Sequence, residues 1–275
     1  MMDRLEKALQ KARSQREAAL QESNAAAARE LPVSPDASAP ATLEIRPKRS
    51  ADVLLSDEVL ERNRIVARMA RSAEADIFRL LRTKLLQAMN RSNLRTIAIT
   101  SPTYGDGKTT IAVNLAMSLA LDVKQTVLLV DLDLRKPMVH RFLGFEPKVG
   151  LGDYVQNDAP VHDCMVKLPI DRLVVLPISA PIENSSELLG TPKMIALANE
   201  LKTRYADRIV IYDMPPLLAQ DDVITFLPNV DGVLLVARDG VTRTDDLKNC
   251  LHSLGDSNVI GTVLNGSNER QFNRA

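Results

Sequence analysis

Cysteine is scarce: Cys164 and Cys250 are the only two in 275 residues, far apart and in no paired-ligand spacing such as C-x-x-C. That excludes a disulfide framework or a thiolate metal cluster and leaves two reduced thiols, as in a cytoplasmic protein. A dominant charge is lacking too. The 35 Lys and Arg residues offset 35 Asp and Glu, for a formal net charge of zero. No global field therefore argues for nucleic acid or an anionic membrane as partner. Long apolar runs are missing: Thr126–Val130 and Val233–Ala237 are far too short to span a bilayer. The N-terminus is charged from Asp3 onward and has no apolar signal-peptide core. The expectation is a cytoplasmic protein that a partner must recruit if it works at a membrane.

What is present is ordinary for a globular protein, 45% hydrophobic and 25% charged. A domain of roughly 200 residues buries most of its potential surface and needs no disulfide or structural metal. Residues 1–30 read as an N-terminal helix, with Leu5, Ala8, Leu9 and Ala12 at helical spacing among charged residues. The narrow, alanine-rich stripe suits a partner-docking helix or a solubilising tail. Residues 31–55, with Pro32, Pro35, Pro40 and Pro47, read as a flexible linker. The remainder, 56–275, reads as one folded domain.

Within that domain the pattern predicts helices from about Ser56 to Ala70 and from Ala73 to Met89, followed by alternation of strand and helix. Strands are expected at Arg95–Thr100, Thr126–Asp131, Arg172–Pro177, Arg208–Asp213, Gly232–Ala237 and Val259–Asn265. Helices are expected at about Lys108–Leu121, Ser185–Tyr205 and Thr244–Leu254. Continuous apolar strands separated by helices indicate an α/β fold, a parallel sheet covered on both faces. In such sheets the ligand sits beyond the carboxyl ends of the strands.

The first strand leads into Ser101-Pro102-Thr103-Tyr104-Gly105-Asp106-Gly107-Lys108-Thr109-Thr110 and a helix. Gly105 and Gly107 let the backbone curl so that several N–H groups face one phosphate chain. The helix N-terminus adds its dipole, Lys108 reaches the β- and γ-phosphates, and Thr109 offers a hydroxyl to Mg²⁺. Tyr104 through Thr110 are thus candidate ATP-binding residues. The strict P-loop pattern asks for glycine where Pro102 stands. The second strand ends in Asp131-Leu132-Asp133, where strand alternation predicts two carboxylates on one side. Two such charges at 4 Å repel by roughly 4 kcal/mol at an effective dielectric of 20, unless a cation lies between them. A third strand ends in Asp213, an acid costly to bury without a positive partner. Three carboxylates beside one Gly-Lys-Thr loop imply magnesium with ATP.

These residues resemble the bacterial tyrosine kinases of capsule and exopolysaccharide loci, the BY-kinases, over about Asn63 to Asn265. The most specific stretch is Asp131-Leu-Asp-Leu-Arg-Lys-Pro-Met-Val-His140-Arg-Phe-Leu-Gly144, similar to that family's second Walker motif and the helix after it. Asn184-Ser185-Ser186-Glu187-Leu188-Leu189 and Asp213-Met-Pro-Pro also fit. The resemblance implies a P-loop fold in which Lys108 and Thr109 handle phosphates and metal, and Asp131 is the base for a tyrosine hydroxyl. Asp133 and Asp213 would help hold Mg²⁺, and Asn265 would contact adenine. Asp76-Ile-Phe-Arg79-Leu-Leu-Arg82 resembles a subunit-contact helix, which implies a homo-oligomer. Independently, Ile77, Leu80, Leu81 and Leu85 read as that helix's apolar face, leaving Arg79 and Arg82 to a neighbour or to solvent.

The implied partner is a membrane protein that sets polysaccharide chain length. The family's usual C-terminal tyrosine cluster has no counterpart in Gly266–Ala275, and the tyrosines are Tyr104, Tyr154, Tyr205 and Tyr212. Tyr154, in an apparent glycine-rich turn, is the expected exposed acceptor. A P-loop ATPase switch of the partitioning type and a nucleotide-binding adaptor without turnover remain the alternatives.

Overall fold

The computed structural model describes residues 54–69, 72–205 and 207–267. The expected N-terminal helix 1–30 lies outside them. So does the expected linker, apart from Leu54 and Leu55.

Among the described residues a seven-stranded sheet runs in the order β3-β4-β2-β5-β1-β6-β7. Its strands are β1 Thr96–Thr100, β2 Thr126–Asp131, β3 Val166–Lys167, β4 Leu173–Leu176, β5 Arg208–Asp213, β6 Gly232–Arg238 and β7 Val259–Asn265. Every pairing is parallel except that of β3 with β4, a two-residue antiparallel edge that the sequence did not announce. The central strands are continuous aliphatic runs because both faces are covered. Ala98, Leu128, Val130, Val210 and Tyr212 pack on one side, and Ile97, Ile99, Leu129, Ile209 and Ile211 on the other. Alternation along each strand sorts the two sets.

The helices are α1 Asp57–Arg62, α2 Ala73–Arg91, α3 Lys108–Ala120, α4 Val139–Leu143, α5 Leu151–Asn157, α6 Val161–Cys164, α7 Ser185–Leu189, α8 Pro192–Thr203, α9 Asp222–Phe226 and α10 Thr244–Leu254. Leu85 and Met89 of α2 and the apolar residues of α3 join the first-named strands' opposite face, with Ile97 and Ile99. Leu197, Ala198 and Leu201 of α8 cover the other.

Two expected helices are shorter than their patterns. The helix beginning after Ser56 stops at Arg62, because Arg64 takes a left-handed φ of 58°. The chain then runs as a strap pinned by the buried Asn114 of α3. Its Oδ1 accepts from Val66 N at 2.7 Å and Ala67 N at 3.0 Å, and its Nδ2 donates to Arg64 O and Thr110 O. The 185–205 helix breaks at Gly190, and α8 restarts with Thr191 accepting from Met194 N and Pro192 in its first turn. Proline fits there because its missing N–H would have no helical partner.

Candidate active site at the strand ends

The strand order puts the β5 end between those of β2 and β1. Asp131 and Asp213 are register partners on adjacent parallel strands, and Ile99, one residue before the end of β1, pairs with Asp213 on its other side. The loop from β1 is stitched to the β5 loop by Thr100 Oγ1 donating to Pro215 O at 2.7 Å and Leu217 N donating to Ser101 O at 2.8 Å. The phosphate loop and two acids are therefore brought together by the sheet itself.

Gly105 and Gly107 sit at φ of 86° and 96°, in the left-handed region. That backbone turns the loop into the first turn of α3 and suits glycine. Asp106 between them is buried, and its side chain works as a latch. Oδ2 accepts from the Thr103 N–H and hydroxyl at 2.9 and 3.1 Å, and Oδ1 accepts from Thr242 Oγ1 at 2.7 Å. Thr242 Oγ1 in turn accepts from Arg238 N, while the Arg238 guanidinium donates to Gly105 O. Asn265 Nδ2 donates to Asp106 O at 2.9 Å, and a Cβ on Gly107 would meet that same nitrogen at 2.0 Å. The loop is held from β6 and β7 as well as from within.

Lys108 donates to Asp133 Oδ2 at 2.9 Å. Burial opposes its charge, but Asp213, Asp133 and Asp131 overcome that and hold the ammonium above its usual pKa. Asp133 lies beyond the end of β2, so strand alternation does not place it, contrary to the expectation. A turn does: Asp131 Oδ1 accepts from Asp133 N, and Asp133 Oδ1 accepts from Lys136 N. Asp131 Oδ2 accepts from Met138 N and Val139 N at the start of α4. Burial first, then the Asp213 charge, push the Asp131 pKa well up.

Asp213 is fully buried and neither of its oxygens has a hydrogen-bond partner. Burial raises its pKa to about 6, tempered by Lys108 and by the Thr109 hydroxyl, which lies near without reaching hydrogen-bond geometry. A buried carboxylate with four open lone pairs is a high-energy group that a cation would relieve. Among the described residues no three His, Cys, Asp or Glu side chains group closely enough for a resident metal site. Magnesium characteristically uses only one or two carboxylates and completes its shell with phosphate and water. The donor set fits that usage.

Contacts that sequence reasoning missed cluster around this centre. Arg135 Nε donates to Ser185 Oγ at 2.8 Å, and Ser185 Oγ donates to the buried Asp222 Oδ1 at 2.9 Å. Gln220 Nε2 donates to Tyr104 Oη at 2.6 Å, and Lys136 Nζ stands 4.2 Å from the Tyr104 ring centroid. Looking beyond every strand end, β6 included, would have flagged Arg238 and Thr242. The Ser185–Asp222 pairing had no local signal.

The candidate contact helix differs from expectation. Arg82 turns inward and donates to Ser118 O at 2.8 Å, tying α2 to α3. Arg79 pairs with Asp76 and reaches Met69 O. Ile77, read as core, is exposed, because Ala75, Leu85 and Met89 form the buried line instead. Tyr154 is no exposed turn residue either: it is half-buried in α5 with Lys193 Nζ over its ring.

The model of the CobQ/CobB/MinD/ParA nucleotide binding domain matches residues 97–274. The chain is 35% identical over 211 residues to the tyrosine-protein kinase YwqD of Bacillus subtilis (strain 168), covering 75% of this chain and 87% of that one. It is 32% identical to the succinoglycan biosynthesis transport protein ExoP of Rhizobium meliloti (strain 1021), over 77% of this chain but 27% of that longer protein. The solved kinase domain of Escherichia coli tyrosine kinase ETK superposes with a TM-score of 0.68 at 28% identity, covering 74% of this chain and 79% of that one. Phosphate loop, strand-end acids and relatives agree, and the chain belongs to the CobQ/CobB/MinD/ParA nucleotide-binding family, in its bacterial tyrosine-protein kinase branch.

Proposed function

We propose that this chain is an ATP- and Mg²⁺-dependent protein tyrosine kinase that regulates the assembly and export of a surface polysaccharide. The observation that carries the reading is Asp213: a buried carboxylate with both oxygens open, in register with Asp131 and beside the phosphate loop. Mg²⁺ would be held by Thr109, Asp133 and Asp213 with Asp131 nearby, and would neutralise charge on the phosphates. The loop N–H groups and Lys108 bind the phosphate chain, with Lys108 exchanging Asp133 for phosphate. Phosphoryl transfer asks for positioning and charge neutralisation rather than covalent work by the protein. Asp131, whose raised pKa favours holding a proton, takes the proton of the acceptor tyrosine hydroxyl. Asn265 commits its Nδ2 to the loop, which makes its Oδ1 the atom to accept from an adenine amino group.

The polysaccharide link follows from relatives such as the succinoglycan biosynthesis transport protein ExoP. No helix among the described residues is long and apolar enough to cross a membrane. The chain works in the cytoplasm and is brought to the membrane by a chain-length or co-polymerase protein. It self-associates through the outer side of α2, and residues 56–275 form its catalytic domain. Incubating the protein with ATP, Mg²⁺ and the cytoplasmic segment of that partner should place phosphate on tyrosine. A protein that binds nucleotide yet never yields phosphotyrosine under these conditions is not a kinase.

A further inference from the structure

The four tyrosines sit in very different surroundings. Tyr212 is buried in β5, where burial pushes its hydroxyl pKa up. Tyr154 is half-buried beneath Lys193, and Tyr205 is half-buried against the Arg208 guanidinium, 3.9 Å from its ring centroid. Tyr104, at 46% relative exposure, is the exposed one. Its backbone belongs to the loop after β1. Its hydroxyl meets Gln220 on the loop after β5, and its ring meets Lys136 on the loop after β2. The side chain therefore spans three loops of the site, its exposed hydroxyl accepting from an amide and its ring face carrying an ammonium.

Those two groups are what a phosphorylated tyrosine needs. A phosphotyrosine carries close to two negative charges and three strong acceptor oxygens, and is stabilised by cationic and N–H donors. The loop bearing Tyr104 also cradles its own nucleotide, so the tyrosine moves with those phosphates rather than toward them. A second molecule can present its own nucleotide to the exposed hydroxyl.

We propose that Tyr104 is a phosphoacceptor, modified by ATP bound to a second copy of this chain, and that the modification limits nucleotide binding by the copy that carries it. This rests on the kinase reading above. Tyr104 Oη attacks the γ-phosphorus, the bond from that phosphorus to the β–γ bridging oxygen breaks, and ADP leaves. The phenolic proton passes to Asp131 of the copy holding the ATP. The dianion then stands on the loop that must accept the phosphates of the next ATP, and like charge opposes like.

The test mixes wild-type protein with an excess of mass-tagged Lys108→Met protein, ATP, Mg²⁺ and an exogenous tyrosine peptide, and maps phosphate by mass spectrometry. Asp131→Asn protein serves as a second inactive acceptor, so that a folding defect in one does not decide the result. Expected are a phosphorylated peptide and phosphate on Tyr104 of the tagged chains. Phosphate on the peptide with none on Tyr104 overturns this proposal and leaves the kinase reading standing. No phosphotyrosine on peptide or chain overturns both. Protein phosphorylated at Tyr104 should bind a fluorescent ATP analogue about tenfold more weakly than phosphatase-treated protein. Equal affinity overturns the regulatory half.

Discussion

Lys108 of the phosphate loop donates to Asp133 of the loop after β2 at 2.9 Å, so the ammonium proposed to meet phosphate is already held by an acid. Both groups are almost wholly buried. A buried pair broken from one side leaves an uncompensated charge, which typically costs about 3–5 kcal/mol. Lys108→Met should lose nucleotide binding and also be markedly less stable. Adding Asp133→Asn should recover much of that stability without restoring binding. Urea unfolding alongside nucleotide titration separates the two effects. A single variant as stable as wild type would show the ion pair to be of no structural consequence.

Asp213 gives a pH dependence of definite sign. Its folded pKa is raised from 3.8 to about 6, so between those values the native state keeps a proton that the unfolded chain has released. Stability is greatest at the acid end of that window and falls as pH rises through it. The raised pKa of Asp131 acts in the same direction. Asp213→Asn should therefore stabilise the ligand-free protein at pH 7.5 by on the order of 2 kcal/mol. The same change should abolish the further stabilisation that Mg²⁺ adds to ATP. Melting curves at pH 5 and pH 7.5, with and without Mg²⁺-ATP, read all of this. A less stable Asp213→Asn protein at pH 7.5 would mean the carboxylate has a partner after all.

Gly107 and Asn265 test the loop. A side chain at Gly107 meets both a left-handed backbone and the Asn265 amide at 2.0 Å. Gly107→Ala should bind no ATP although the rest of the domain folds. Asn265→Ala frees the loop and removes the amide oxygen, so ATP should weaken about tenfold while GTP changes less. Isothermal titration with both nucleotides decides it. Equal losses for ATP and GTP would reduce Asn265 to a loop support.

The outer side of α2 is the place to probe self-association, and Arg82 is the wrong residue to use. Its bond to Ser118 O supports the monomer, so Arg82→Ala should lower stability whatever the oligomer does. Ile77 is 49% exposed. Ile77→Glu should shift the protein toward monomer with ATP affinity unchanged, as read by light scattering. The same mass for wild type and variant would move the contact elsewhere.

The strands were legible because each is an unbroken aliphatic run, and the loop and acids because ligand chemistry gathers at strand ends. Short helices such as α6 and α9 were not, since four or five residues complete too little of a period to show. The 185–205 pattern hid a break that Gly190 and Pro192 could have signalled. Asp133 lies outside the strand whose alternation was expected to orient it, and its position is set by a turn that the pattern did not show. The Asp106–Thr242 latch joins residues 136 apart in sequence and had no local signature. Exposure of Tyr104 and partial burial of Tyr154 depend on how three loops pack, which periodicity cannot report.

The central claim is tested most directly by following where the γ-phosphoryl group goes. Labelled ATP with Mg²⁺ is incubated with the protein and the cytoplasmic segment of the proposed membrane partner, and phosphotyrosine and free phosphate are counted from one tube. Label should appear on tyrosine at a rate well above its release to water, with both lost in Asp131→Asn. Steady release of phosphate to water with no labelled tyrosine would contradict the claim, and would make the chain a nucleotide-driven switch instead.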